Sequence, residues 1–163
     1  MNKSIAICPG SFDPVTYGHL DIIERAANMF EKVIVVVADN SAKNYCFSGE
    51  ERVNMINKCI PHLKNVEVEH YSGLLADYAA SHNAIAIIKG LRAMSDFEYE
   101  FQMALTNKKL NPNVETLFLT TSAQNMYVSS SMVKQIAAMN GDIGSFVPEV
   151  IKQDIIDRIS SKK

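Results

Sequence analysis

Ile5-Ala-Ile-Cys8-Pro9-Gly10-Ser11-Phe12-Asp13-Pro14-Val15-Thr16-Tyr17-Gly18-His19 begins with apolar residues, passes through a cluster of turn formers and ends at the mouth of a helix. A strand that hands its chain to a Gly-, Ser- and Pro-rich loop and then to a helix start is the opening of a β-α unit. Helix N-termini attract phosphates, because their first amides lack intrahelical acceptors and the positive end of the dipole sits there. Gly10 and Gly18 let a ligand approach the backbone closely, and His19 stands on the first turn facing that anion. Taken alone, such a histidine is equally a residue that caps or packs the helix, so its role depends on what surrounds it.

Outward from this segment the same alternation repeats. The first strand covers residues 5–8, and Leu20, Ile22, Ile23, Ala26, Ala27 and Phe30 then fall at helical spacing. Residues 33–38 are almost wholly apolar, the composition of a strand buried on both faces. Ser48-Gly-Glu-Glu51 is a capping box for a helix ending near Ile60. Strand, helix, strand, helix and strand follow over residues 66–69, 74–81, 84–88, 97–110 and 116–119. Residues 131–139 form a helix stopped by Asn140-Gly141, and Pro148 opens a last helix through Ile159 from a first-turn position. This pattern predicts an α/β fold: a single doubly wound domain over residues 1–163, with a five-stranded parallel Rossmann-like sheet and helices on both faces. In such a sheet the ligand crevice lies outside the carboxyl ends of the strands, just after Cys8, Ala38, Glu69, Ile88 and Leu119.

The 163 residues, 47% hydrophobic and 21% charged, suffice for one sizeable core. A net charge of −2 supplies no broad cationic field, which argues against nucleic acid and anionic membrane surfaces as partners. Small anions remain suitable ligands, since a few local cations are enough. Cys8, Cys46 and Cys59 are odd in number and show no C-x-x-C spacing, against a disulfide framework or a zinc site and in keeping with a reducing cytoplasm. No apolar run reaches membrane-spanning length, and the N-terminal one stops too early for a signal peptide.

Other residues with chemical potential fall near the predicted strand ends. Lys89-Gly90-Leu91-Arg92 follows the fourth strand, where two cations separated by a glycine turn can both face the crevice. Arg92 offers a planar fork to phosphate and Lys89 a compact point charge. A solvated basic turn is the alternative. Lys43 lies beside Asn40 and Ser41 in the loop after the second strand, where a lysine is most simply solvated. In Asp96-Phe-Glu-Tyr-Glu100-Phe101, Asp96 is placed as an N-cap, Phe97 and Phe101 as core positions and Glu98 as surface acid; carboxylates two apart share no helical face. Ser129, Ser130 and Ser131 open a helix with Lys134 one turn inside, a second phosphate cradle or a simple cap.

Together these segments resemble a known family. Gly-Ser-Phe-Asp-Pro followed by T-x-G-H is similar to the signature of nucleotidyltransferases whose commonest form is H-x-G-H, with Thr16 in place of the first histidine. That replacement is usual in the phosphopantetheine adenylyltransferases. Further matches to them are Phe47-Ser-Gly-Glu-Glu-Arg52, Lys89-Gly-Leu-Arg-Ala93, Asp96-Phe-Glu-Tyr-Glu-Phe101 and Val128-Ser-Ser-Ser-Met-Val-Lys134, covering nearly the whole chain. Lys89 departs from the family, which more often has arginine there.

The resemblance implies adenylyl transfer from ATP to 4′-phosphopantetheine, giving dephospho-coenzyme A and pyrophosphate, the penultimate step of coenzyme A synthesis. It implies His19, Lys43 and Arg92 as catalytic residues. For ATP it implies Ser11, Phe12, His19, Gly90, Leu91, Arg92, Glu100, Asn125, Met126, Tyr127, Val128, Ser129, Ser130 and Ser131. For the acceptor it implies Ser11, Lys43, Leu75 and Lys89. Mg²⁺ is expected to arrive on the triphosphate, with no dedicated metal site in the chain. A cytoplasmic homohexamer with feedback by coenzyme A is implied as well. The competing readings are a nicotinate mononucleotide adenylyltransferase, a glycerol phosphate cytidylyltransferase, or a nucleotide-binding module without catalysis. A dinucleotide protein fits less well, as no G-x-G-x-x-G follows the first strand.

Overall fold

The computed structural model describes residues 4–92 and 94–161; Ala93 of the 89–93 motif, and Lys162 and Lys163 of the polar tail, lie outside them. In chain order the elements are β1 (Ile5–Gly10), α1 (Tyr17–Met29), β2 (Lys32–Ala38), α2 (Gly49–Cys59), β3 (Val66–Tyr71), α3 (Leu75–Ser81), β4 (Ala86–Leu91), α4 (Met94–Leu110), β5 (Glu115–Thr120), a 3₁₀ turn (Ala123–Asn125), α5 (Ser130–Ala138) and α6 (Glu149–Ser160). The strands form one sheet in the order β3-β2-β1-β4-β5, with every pairing parallel. The chain winds outward from β1 to β3 and returns to β4 on the other side of β1. The order therefore reverses between β1 and β4, and their carboxyl ends frame the crevice.

Strand periodicity explains the layering. Ala6, Cys8, Val33, Val35, Val37, Ala86 and Ile88 point to one face and join Ile22, Ile23, Ile56, Val133, Ile151 and Ile155 from α1, α2, α5 and α6. Ile7, Ile34, Val36 and Ile87 point to the other face and meet Tyr78 and Ala79 of α3. The five residues from Val33 to Val37 are at most 1% exposed, and a buried valine contributes about 1.5–3 kcal/mol. On the second face α4 packs through Phe97 against Phe118, with ring centroids 5.9 Å apart.

Several boundaries differ from the expectation, chiefly because ladder bonds come from distant chain. Pro9 and Gly10 continue β1 by pairing with Val36 and Val37, and Tyr71 closes β3 opposite Ala38. Lys89, Gly90 and Leu91 pair with Phe118, Leu119 and Thr120, so Lys89 and Gly90 end a strand and do not form a glycine turn. Helix α4 starts at Met94, which puts Asp96 inside the first turn and not at the cap, where it accepts from Arg92 Nε at 3.3 Å. Helix α5 starts one residue early because Ser129 caps it, its hydroxyl accepting from Met132 N at 3.1 Å. Pro148 is the N-cap of α6, one position outside the first turn. The stop at residues 140–141 is as expected: Asn140 takes a φ of 59°, and Gly141 N donates to Ile136 O.

Candidate active site

A cleft of about 660 Å³ opens at the β1 and β4 ends. Its wall contains Ser11, Phe12, His19, Lys43, Lys89, Gly90, Arg92, Glu100, Val128, Ser129, Ser130 and Ser131 among the residues singled out in the sequence. Leu75, Leu91, Asn125, Met126 and Tyr127 do not line it. Leu75 packs beside the second core cluster at the start of α3, and the side chain of Leu91 belongs to the last residue of β4. Asn125 is buried in the 3₁₀ turn and donates to Ser122 Oγ, while Met126 and Tyr127 are 51% and 63% exposed.

His19 is held by its own helix. Thr16 Oγ1 accepts from His19 N at 3.4 Å, and His19 Nδ1 accepts from Thr16 N at 3.1 Å, which closes a capping box with histidine in the place usually taken by Glu or Gln. A backbone N–H can only donate, so Nδ1 carries no proton and the neutral ring keeps its hydrogen on Nε2. Burial, reinforced by the charge of Arg92, pushes the His19 pKa down to about 4. The edge of Phe12 completes the clamp, its centroid 5.0 Å from the imidazole at 73°. Phe12 has a φ of 49°, a conformation costly for an aromatic residue and one that clusters at functional loops. Thus the capping and the functional readings of His19 are compatible: Nδ1 caps, and Nε2–H remains for a ligand.

Asp13, 4% exposed, fastens the loop on the same side. Its carboxylate accepts from Cys46 N, from Phe47 N and from Lys134 Nζ at 2.8 Å. Ser130 Oγ donates to Pro14 O at 2.7 Å, joining the α5 start to the α1 loop. Cys8, on the floor, is no nucleophile, because burial pushes its thiol up to about 12.

Across the cleft, Gly90 faces α1 so closely that a Cβ there would lie 2.9 Å from Ile22 Cγ1. Lys89, on the other sheet face, pairs with Glu100 of α4 at 3.2 Å, although Glu100 Oε2 makes no well-directed hydrogen bond. Arg92 donates from Nη1 to Val128 O at 3.2 Å and pairs with Asp96. Lys43 Nζ lies 3.5 Å from Ser11 Oγ. Among the described residues, Lys43 is the one cation of the cleft wall that forms no ion pair. Tyr17 N and His19 N of α1 are taken by Phe146 O and Thr16 Oγ1, so Gly18 of α1 and Ser130 and Ser131 of α5 bring the remaining first amides to this wall, an arrangement suited to a polyphosphate lying between two helix starts.

A family model described as cytidylyltransferase-like matches residues 7–136. A phosphopantetheine adenylyltransferase of Caldanaerobacter subterraneus is 55% identical over 154 residues, covering 94% of this chain and 96% of the relative. One from Clostridium perfringens is 55% identical over 157 residues, with 96% of each chain covered. The chain belongs to the phosphopantetheine adenylyltransferase family. The relative from Geobacter metallireducens matches from end to end at 48% identity. Among solved structures, a Plasmodium falciparum nicotinic acid mononucleotide adenylyltransferase complexed with NaAD superposes with a TM-score of 0.69, covering 99% of this chain and 96% of that one. At 17% identity that likeness speaks for the nucleotidyltransferase fold alone.

Asp39, Asn40, Tyr45, Tyr99 and Thr121 also line the cleft and were not anticipated. Only Asp39 carried a signal in sequence, as the first polar residue after an apolar strand at the crevice edge. Among the described residues no cluster of three or more His, Cys, Asp or Glu is arranged to hold a metal, and no helix is long and apolar enough to cross a membrane.

Proposed function

We propose that the chain transfers the adenylyl group of ATP to 4′-phosphopantetheine, with His19, Lys43 and Arg92 as its catalytic residues. The observation that carries this reading is the convergence, on one cleft, of a neutral His19 presenting Nε2–H, two helix starts and the cations Lys43, Lys89 and Arg92. An oxygen of the acceptor phosphate attacks the α-phosphorus in line. A new O–P bond forms as the bond to the αβ-bridging oxygen breaks, and pyrophosphate leaves with that electron pair. The attacking oxygen is already anionic, so no base is required and orientation plus charge stabilisation carry the rate. His19 Nε2–H hydrogen-bonds the α-phosphate as charge builds on it; a histidine with a pKa of about 4 keeps this donor neutral throughout the physiological range.

Ser11, Lys43 and Lys89 hold the acceptor phosphate, with Leu75 assigned to the pantetheine side. Phe12, Gly90, Arg92, Glu100 and residues 128–131 serve the nucleotide from the cleft wall, the serines 129–131 at its β- and γ-phosphates, while Leu91 and residues 125–127 are assigned to it by the family resemblance and stand outside that wall. Mg²⁺ accompanies ATP and neutralises triphosphate charge. The donor set suits an ion held by phosphate oxygens and water: Asp13 and Asp39 are both engaged by protein donors. Assembly as a cytoplasmic homohexamer restrained by coenzyme A belongs to the same reading. Phe101 and Leu105, one turn apart on α4 and 47% and 57% exposed, support a face that another copy covers.

The test is pyrophosphate release on mixing the protein with MgATP and 4′-phosphopantetheine. Release that requires both substrates is expected. No release, or release only when nicotinate mononucleotide replaces phosphopantetheine, overturns the proposal.

A further inference from the structure

Among the described residues Arg52 is the largest of the fully buried ones, with 2% of its side chain exposed. It stands in the first part of α2, behind the cleft and outside its wall. A guanidinium placed there for packing alone would be a costly choice, because an apolar side chain of similar volume avoids its desolvation. Its bonds point to another use. Nε donates to Phe47 O at 3.1 Å and to Ser48 O at 3.3 Å, Nη1 to Ser11 O at 2.9 Å, and Nη2 to Asp39 Oδ1 at 2.6 Å. One rigid plane thus grips the loop after β1 and both ends of the loop after β2.

Two paths run from this plane and meet again in the cleft. Through Ser11 O it fixes the residue whose hydroxyl faces Lys43. Through Asp39 it fixes the start of residues 39–45, where Asn40 N donates to Tyr45 OH, Ala42 N to Asn40 Oδ1 and Lys43 N to Asn40 O. The Tyr45 ring lies over the guanidinium, 4.1 Å from Cζ to the centroid. Asp39 is anchored from its other oxygen by His70 Nε2 at 2.8 Å. His70 reaches it only because residue 49 is glycine: a Cβ there would lie 2.4 Å from the same Nε2. The hydrogen bond from Arg52 holds the Asp39 carboxyl below its ordinary range, so the pair stays ionised.

We infer that Arg52, acting through Asp39, is the positioning residue that sets the spacing between Ser11 and Lys43 and so the geometry of the acceptor phosphate. This rests on the reading of those two residues as acceptor contacts. A lysine at 52 cannot reproduce the effect, because it lacks the planar fork that spans two loops.

Because Arg52→Ala empties a buried site and endangers folding, the test uses Asp39→Asn and Arg52→Lys, with Lys43→Ala alone and combined with Asp39→Asn. Pyrophosphate release by the wild type establishes the reaction first; if the wild type releases none, the functional reading fails, independently of this inference. Given wild-type turnover, Asp39→Asn and Arg52→Lys raise KM for phosphopantetheine by about tenfold, the scale of one charge-assisted hydrogen bond. KM for ATP stays within about twofold. Lys43→Ala costs less in the Asp39→Asn background than in the wild type, since the spacing is already lost. A wild-type acceptor KM in both variants, equal changes for both substrates, or full additivity with Lys43→Ala overturns the inference.

Discussion

Along the β1 and α1 wall of the cleft, polar groups are fastened to one another by backbone partners: His19 to Thr16 N, Asp13 to Cys46 N and Phe47 N, and Ser130 to Pro14 O. Along the β4 and α4 wall the cations pair with side chains of opposite charge, Lys89 with Glu100 and Arg92 with Asp96, each about a fifth to two-fifths exposed, and Arg92 adds a bond to Val128 O. Backbone amides cannot leave when a substrate arrives, whereas a partly hydrated carboxylate can give up its cation to a phosphate. The first wall is built before binding, in the manner required of groups that stabilise charge in a transition state. The second is balanced by carboxylates that a phosphate can replace. Such exchange suits groups that recognise substrates and release products.

The largest expected effect tests the fixed wall. Replacing His19 with Ala lowers turnover by at least about 10²-fold, the scale of one preorganised donor to developing charge, with the fold retained by circular dichroism. Near-normal pyrophosphate release in this variant would remove the distinction between the walls. Next, Asp13→Asn weakens the Lys134 pair and two amide bonds together and costs about 2 kcal/mol in denaturant unfolding. An unchanged unfolding midpoint would mean that the loop does not depend on this carboxylate.

On the exchangeable wall, Lys89→Ala weakens acceptor binding by roughly tenfold and ATP binding by less, and it leaves the buried Glu100 Oε2 without its ion-pair partner. Equal losses for the two ligands in calorimetry would contradict this. The smallest effect is a pH slope. His19 titrates near 4 in the fold and at its ordinary 6.5 when unfolded, so between these values the unfolded chain binds the extra proton. Stability therefore falls as pH drops from about 6.5 toward 4, by on the order of 1 kcal/mol per unit at most, and this term is constant above 6.5. Unfolding midpoints at pH 7, 6 and 5 should fall less steeply for His19→Gln, which retains a capping side chain without a titrating ring.

What could be read in the chain beforehand follows the range of each interaction. The β-α alternation, the Ser48 capping box and the crevice positions of His19 and Lys89 depend on neighbours a few residues away and emerge from spacing, whereas Lys43 read as a solvated loop residue and entered the site only through the resemblance. Asp13 read only as a turn residue, because its donors sit 33, 34 and 121 positions along the chain. Arg52 read as part of a family motif, with no sign that it would be buried among loops. The extension of β4 through Lys89, Gly90 and Leu91 needed β5 as partner. Thr16 is an intermediate case: its place in T-x-G-H suggested a family, but only geometry shows it as the cap that fixes the tautomer of His19.

The contact between Gly90 and Ile22 bears on how such a cleft can be retuned. The gap between the helix carrying His19 and strand β4 is set by the absence of one methyl group at residue 90. An alanine at 90 would act as a shim against Ile22 of α1, while His19, Lys43, Lys89 and Arg92 all stay in the sequence. Two chains identical at those four residues could then differ in their reacting distance, and a comparison of those residues alone would not reveal it.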